Sequence, residues 1–253
     1  MILLLGGTGE TAAIATLLAE AGFNVYVSTA TDNALYVGNH SRITRRIGKL
    51  DVNGISAIVT EKGISAIVDA THPFAEAASA AAKEAAEAVC VPYIAFVRPR
   101  SDYDYERIIY VKDHDEAAER AFSFDKPVLL MTGSRNLAQY AAVAKNKNLE
   151  LYARVLPHAE SAAACRDAGL DEKYVITGRG PFSTRTNVEL IKKYGIGVIV
   201  SKDSGKEGGV IEKVESARLC GIHVVMIERP QAPSENAYNS AREIVDAVNK
   251  VLA

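Results

Sequence analysis

The chain has 253 residues, 48% of them hydrophobic and 24% charged, with a formal net charge of −2. This is the composition of one large or two small globular domains, and its charge balance offers no surface suited to nucleic acid or membrane. Cys90, Cys165 and Cys220 are too dispersed for a disulfide framework or a zinc site, no apolar stretch reaches membrane-spanning length, and the N-terminus lacks a signal-peptide profile, so a cytoplasmic protein without a metal site is expected.

Ile2-Leu3-Leu4-Leu5 has the unbroken apolarity of a strand buried on both faces. Gly6-Gly7-Thr8-Gly9 follows. Ile14, Leu17, Leu18 and Ala21 then mark one helix face at i, i+3, i+4, i+7, with Gly22 as its stop. Strand, glycine turn and helix form the context in which Gly7-x-Gly9-x-x-Ala12 reads as a dinucleotide fingerprint. Glycine lets the backbone approach a diphosphate, and the helix start offers unpaired N–H groups to the anion. Any parallel α/β protein also carries glycine in its first turn; the placement directly after a clean strand favours the nucleotide.

Asn24–Thr29 reads as the second strand, and its end decides between the two nicotinamide nucleotides. An acid there binds a ribose 2′-hydroxyl, whereas hydroxyls and arginines accept a 2′-phosphate. Ser28 and Thr29 stand at that end, Asp32 comes late for the acidic role, and Arg42, Arg45 and Arg46 lie in the next strand region, Arg42–Ile47. NADP is therefore expected over NAD, against the alternative of a polar strand end beside a solvated basic edge. Asp51–Lys62 reads as a helix with Asp51 as N-cap and Gly63 as stop. Ala66–Ala70 is another buried strand, followed by Thr71-His72-Pro73-Phe74 and an alanine-rich helix reaching about Val89. Pro73 suits the first helical position and Thr71 or His72 the cap; His72 is equally a candidate for chemistry. Tyr93–Val97 is the fifth strand.

Arg98-Pro99-Arg100-Ser101-Asp102-Tyr103 breaks the pattern and suits a crossover between domains. Beyond it the strand candidates are Val128–Met131, Leu151–Val155, Tyr174–Thr177, Val198–Ser201 and His223–Ile227, separated by helical patterns such as Val188–Tyr194 and Ile244–Leu252. The alternation implies a second parallel, doubly wound sheet. The turns after these strands carry Ser134 and Arg135, Arg154, Arg179 with Ser183, Lys202 with Ser204 and Gly205, and Arg229. In a parallel sheet they open on one edge. Cations and free N–H groups gathered there suit an anion with several carboxylates or phosphates, whereas merely solvating charges would scatter along outer helix faces.

In these residues the chain resembles the precorrin-6A reductase and cobalt-precorrin-6A reductase family of cobalamin biosynthesis, over essentially its whole length. The resemblance rests on Leu5-Gly6-Gly7-Thr8-x-Glu10, Asp69-Ala70-Thr71-His72-Pro73-Phe74-Ala75, Arg98-Pro99, Thr132-Gly133-Ser134-Arg135-Asn136, Ala153-Arg154-Val155-Leu156-Pro157, Gly180-Pro181-Phe182-Ser183, Lys202-Asp203-Ser204-Gly205, Gly208-Gly209-x-x-Glu212-Lys213 and Arg229-Pro230, in that order. Members often place a tryptophan shortly after the Arg-Pro pair; this chain has no Trp, and Tyr103 stands in that stretch. The resemblance implies an α/β fold of two doubly wound, Rossmann-like parallel-sheet domains with an interdomain cleft, here 1–98 for NADP and 99–253 for the tetrapyrrole. It implies hydride transfer from NADPH to a conjugated C=N/C=C system of the macrocycle, with a proton added. On this reading Gly6, Gly7, Thr8 and Glu10 serve the cofactor's phosphate and ribose region. Ser28 and Thr29 serve its 2′-phosphate, and Thr71, His72, Pro73 and Phe74 lie near the nicotinamide, with His72 the catalytic candidate. Ser134, Arg135, Arg154, Arg179, Ser183, Lys202, Ser204 and Gly205 take the substrate's carboxylates. Two other readings are weighed. A short-chain dehydrogenase needs Tyr-x-x-x-Lys, but Tyr140 meets Lys145 one residue late and Tyr238 meets Arg242. A nucleotide-binding sensor without chemistry would bind NADPH and turn nothing over.

Overall fold

The computed structural model describes residues 1–31, 35–99, 101–231 and 235–253; Asp32 and Arg100 lie outside the described residues. The chain forms two compact units, Met1–Pro99 with Pro230–Ala253, and Arg100–Arg229. In chain order the first unit holds β1 (Ile2–Leu5), α1 (Thr11–Glu20), β2 (Val25–Thr29), β3 (Ile43–Ile47), α2 (Val52–Lys62), β4 (Ala66–Asp69), α3 (Glu76–Ala88) and β5 (Tyr93–Phe96). The second holds β6 (Ile108–Val111), α4 (His114–Phe122), β7 (Val128–Leu130), α5 (Leu137–Lys147), β8 (Leu151–Val155), α6 (Ala159–Asp167), β9 (Val175–Thr177), α7 (Thr184–Lys193), β10 (Val198–Lys202), α8 (Val210–Cys220) and β11 (His223–Ile227). The chain then returns to the first unit with β12 (Ala237–Tyr238) and α9 (Ala241–Leu252).

Each unit is built on a six-stranded sheet, β3-β2-β1-β4-β5-β12 in the first and β9-β8-β7-β10-β11-β6 in the second. All described pairings are parallel. The first sheet shows the 3-2-1-4-5-6 order of a dinucleotide-binding fold. The second repeats it over β9-β8-β7-β10-β11, but its sixth place is taken by β6, the first strand of that unit. The strand order reverses between β1 and β4 and between β7 and β10. The unbroken apolar runs read as strands are buried on both faces. Ile2 and Leu4 pack with α1 and α9 on one side, and Leu3 and Leu5 pack with α2 and α3 on the other. Leu129, Ile199, Val224 and Met226 build the core beneath α7 and α8 in the second sheet.

Three expectations change. Residues 230–253, expected within the second domain, belong to the first unit: Ile244, Ala247 and Val248 of α9 enter the same core as Ile2, Ile14 and Leu18, because α9's apolar stripe must be covered and the first sheet leaves a face for it. β6 and β12 were not among the strand candidates; at four and two residues they are too short to show a period. Finally, α3 starts at Glu76 with Ala75 as N-cap, so Pro73 is not its first residue and neither Thr71 nor His72 caps it. Asp51 caps α2 as expected, its carboxylate accepting from the Gly54 N–H at 2.8 Å, and Gly63 ends that helix at φ 59°. No helix among the described residues is long and apolar enough to cross a membrane.

Candidate functional site

In open parallel sheets ligands bind at the carboxyl ends of the strands where the strand order reverses. In the first unit that place is formed by the turns after β1 and β4. A Cβ on Gly6 would stand 2.4 Å from Thr11 Cγ2, and Gly7 sits at φ +123° with open space where its Cβ would be. The Gly7 and Thr8 amides donate to Thr11 Oγ1 at 3.1 and 3.2 Å, and the Thr8 hydroxyl donates to the Ala70 carbonyl at 3.1 Å, joining the two turns. The glycine-turn amides expected to face an anion are thus engaged by Thr11, a residue the spacing argument passed over. The start of α1 is left without a side-chain cap, and its first-turn N–H groups have no intrahelical acceptor. Glu10, just before α1, binds Arg98, two residues beyond β5, in a two-pronged ion pair of 2.5 and 2.8 Å. Both side chains are largely buried, at 8% and 16% exposure. Burial alone would raise the Glu10 carboxyl, but the hydrogen bond and charge of Arg98 outweigh it and hold it below the ordinary carboxylate value.

At the end of β2, Ser28 and Thr29 are buried and meet two arginines of β3, the neighbouring strand in register. Arg46 Nη1 donates to Ser28 Oγ at 2.8 Å. Arg45 donates to Thr29 Oγ1 from Nε at 3.2 Å and from Nη2 at 3.0 Å. Arg42 is exposed and reaches Asn24 instead. At the end of β4, buried Asp69 accepts from the Thr71 amide at 2.9 Å and from the Tyr93 hydroxyl at 2.7 Å; burial and that carboxylate raise the Tyr93 hydroxyl pKa. The loop thus anchored carries His72, whose Nδ1 accepts from the Phe74 N–H at 3.2 Å and whose ring lies 5.9 Å from that of Phe74. Thr71 Oγ1 lies 3.2 Å from Ser79 Oγ of α3.

In the second unit a cavity of about 180 Å³ opens at the corresponding reversal. Its lining includes Gly133 after β7, Arg154 of β8, Gly178, Phe182, Gly208 and Lys213. Arg154 is 7% exposed, and among the described residues no carboxylate pairs with it. Its Nη1 donates to Asn187 Oδ1 at 2.7 Å, and its guanidinium carbon lies 4.0 Å from the centre of the Phe182 ring. Burial pushes its pKa down to about 10. Lys213 Nζ donates to the Gly208 carbonyl at 3.1 Å and to Ser201 Oγ at 3.3 Å. Burial and the Arg154 charge push it down to about 8 against the opposing pull of Glu212. Two cations share one small cavity with weak internal compensation, which is the electrostatic form of an anion site.

The eight residues expected to bind carboxylates do not all converge there. Arg154 lines the cavity, while Arg135 and Arg179 are exposed. Ser183 is exposed and caps α7, accepting from the Thr186 N–H at 3.2 Å. Lys202 is half-buried, its pKa lowered by burial and by the Arg135 charge nearby. Ser204 is buried, its Oγ 1.9 Å from where a Gly208 Cβ would stand, so Gly208 admits no side chain. Gly205 is buried at φ 76°, and Ser134 is half-buried. Arg229 is engaged by Asp203, from Nη2 to Oδ1 at 3.1 Å and from Nε to the backbone carbonyl at 2.7 Å. Tyr103 is buried in the core with its hydroxyl on Asp203 Oδ1 at 2.9 Å. It therefore serves as packing and holds that pair. Lys213, Phe182, Asn187 and Arg98 were given no role from spacing. Arg98, Phe182 and Lys213 stand inside the Arg98-Pro99, Gly180-Pro181-Phe182-Ser183 and Glu212-Lys213 motifs, so their signal was present but carried no chemistry on its own, whereas Asn187 stands in none.

Two parallel, doubly wound sheets, one presenting a glycine turn with hydroxyls and arginines, the other a cation-lined cavity, define a two-unit Rossmann-like α/β enzyme. The particular family follows from comparison. The model of the precorrin-6x reductase CbiJ/CobK family matches residues 1–249, and the chain belongs to that family, a group of oxidoreductases of cobalamin biosynthesis. It is 36% identical over 249 residues to the cobalt-precorrin-6A reductase of Priestia megaterium, covering 98% of each chain. It is 35% identical over 247 residues to that of Methanocaldococcus jannaschii, covering 96% of each. A solved structure described as CobK precorrin-6A reductase superposes with a TM-score of 0.81 at 27% identity, covering 98% of this chain and 96% of that one.

Proposed function

We propose that this chain reduces the precorrin-6A macrocycle, metal-free or cobalt-bearing, to its 6B form with NADPH as reductant. The observation that carries the substrate half is Arg154: a buried guanidinium without an acidic partner among the described residues, lining a cavity of about 180 Å³ that we assign to one carboxylate-bearing arm. Arg–carboxylate pairs are planar and two-pronged, so they fix the angle of the arm they hold. Lys213 adds a second donor in that cavity, and Lys202, Arg135, Arg179, Ser134, Ser183, Ser204 and Gly205 on the same sheet edge are assigned to other arms.

The cofactor half is supported by the open space at Gly7, the uncapped start of α1 and the hydroxyl–guanidinium cluster at the end of β2. These fit a dinucleotide whose diphosphate lies on the helix start and whose 2′-phosphate is taken by Ser28, Thr29, Arg45 and Arg46. When bound, the reduced nicotinamide supplies a hydride to the macrocycle's conjugated system. Gly6, Gly7, Thr8 and Glu10 shape the diphosphate and ribose region, and Thr71, His72, Pro73 and Phe74 lie against the nicotinamide. Removing the guanidinium in Arg46→Ala is expected to lower the preference for NADPH over NADH by roughly 10- to 100-fold, the worth of one charge-assisted hydrogen bond. Equal loss with both nucleotides would assign Arg46 to the fold instead. His72→Ala is expected to keep the NADPH Kd within a few fold while turnover falls; unchanged turnover removes its catalytic role.

The reading is tested by mixing the protein with NADPH and each precursor, metal-free and cobalt-containing. Consumption of NADPH only when an oxidised precursor is present supports it. Tight NADPH binding without turnover on either would make the chain a sensor.

A further inference from the structure

We propose that Asn187 is a positioning residue that holds Arg154 in place without neutralising it, and so keeps the cavity receptive to a substrate carboxylate. The proposal rests on the reading of Arg154 as a carboxylate anchor. Asn187 lies on α7, is fully buried, and accepts from Arg154 Nη1 at 2.7 Å. Its other amide atom, Nδ2, is buried with no hydrogen-bond partner. A buried unpaired donor costs stability. Aspartate has the same shape, would leave no unpaired N–H, and would give Arg154 the acid that a buried cation ordinarily requires. On stability alone, aspartate suits this position better than asparagine.

What asparagine preserves is charge. Its carbonyl oxygen fixes one prong of the guanidinium while contributing no negative charge. Phe182 covers the face of the group at 4.0 Å, and Met131 Sδ lies 3.3 Å from Nη2. The guanidinium is thus oriented on three sides by neutral groups. The nearby Lys213 ammonium adds positive charge, offset in part by Glu212, while no carboxylate among the described residues pairs with the guanidinium itself, so an incoming carboxylate meets no competitor at Arg154. A carboxylate at 187 would occupy the guanidinium before substrate arrived.

The test is Asn187→Asp, alone and combined with Arg154→Met, beside wild type and Arg154→Met. Measured quantities are the macrocycle KM and kcat with precorrin-6A, the NADPH Kd and the thermal midpoint. Asn187→Asp is expected to raise the macrocycle KM at least tenfold, to leave the NADPH Kd within twofold, and to melt at or above the wild-type temperature. The double variant should match Arg154→Met, because Asn187 acts through Arg154. A residue that merely packs would give an unchanged KM, a lowered midpoint, or additive effects in the double variant, and any of these overturns the proposal. If wild type itself neither binds nor reduces a precursor, the assigned substrate fails and this inference fails with it. Wild-type turnover with an indifferent Asn187→Asp overturns this inference alone.

Discussion

Arg154→Met is expected to cost the macrocycle most of its affinity while leaving NADPH binding intact. Methionine fills much of the side-chain volume but offers neither charge nor donors. Removing one partner from a buried, hydrogen-bonded charge pair costs about 2–5 kcal/mol, which converts to a rise in macrocycle KM on the order of 30- to 3000-fold. Arg154→Lys should recover little of this, since a point charge lacks the planar fork and does not stack on Phe182 in the same way. The neighbouring Lys213 adds a pH signature. Its pKa is pushed down to about 8, so it loses its proton as pH rises through that value, and macrocycle KM should increase there while NADPH KM stays flat. The check is steady-state kinetics against pH with a spectral titration of the precursor. A macrocycle KM in Arg154→Met within a few fold of wild type would remove the anchor from the site.

Arg98→Met is expected to destabilise the first unit strongly. Arg98 and Glu10 form a two-pronged pair with only 8% and 16% exposure, and breaking such a pair strands a buried charge at a cost of about 3–5 kcal/mol. For a chain of this size that corresponds to a fall in melting midpoint of roughly 10 °C. The sign of the pH dependence follows from Glu10, whose carboxyl is held below its ordinary value of 4.5. A lowered carboxylate contributes stability that is present above the unfolded value and lost as pH falls through the folded one. The gap between wild type and Arg98→Met should therefore be full at neutral pH and narrow below about 4.5. Since Glu10 stands at the start of α1 beside the glycine turn, cofactor KM should rise as well. Equal midpoints at neutral pH would show the pair to be neutral in the fold.

The strands were legible because their composition repeats the environment they meet. Ile2–Leu5, Ala66–Val68 and Val198–Val200 are apolar throughout and buried in the structure, and helices cover both faces of the first two. Asp51 and Gly63 were legible for a similar reason, since cap and stop chemistry involves only a few neighbouring residues. The start of α3 was misplaced because Pro73 suits either the first helical residue or a turn before it. Here the backbone bond between Ala75 N and His72 O, at 2.7 Å, closes the turn first.

The order of strands and glycine turns along the chain is a local property, set by hydrophobic period and backbone freedom, and from it alone came the two parallel sheets and the edge on which their turns open. Which cations converge is not local. Arg135, Arg154, Arg179 and Arg229 look alike as letters after strands. Only folding buries Arg154 beside Asn187 and Phe182, binds Arg229 to Asp203, and leaves Arg135 and Arg179 in solvent. The same holds for α9, whose apolar stripe was plain in sequence but whose covering face, the core around Ile2 and Ile14, was not. Burial and charge compensation are sums over neighbours distant in sequence, and a linear pattern specifies the residue without specifying that sum.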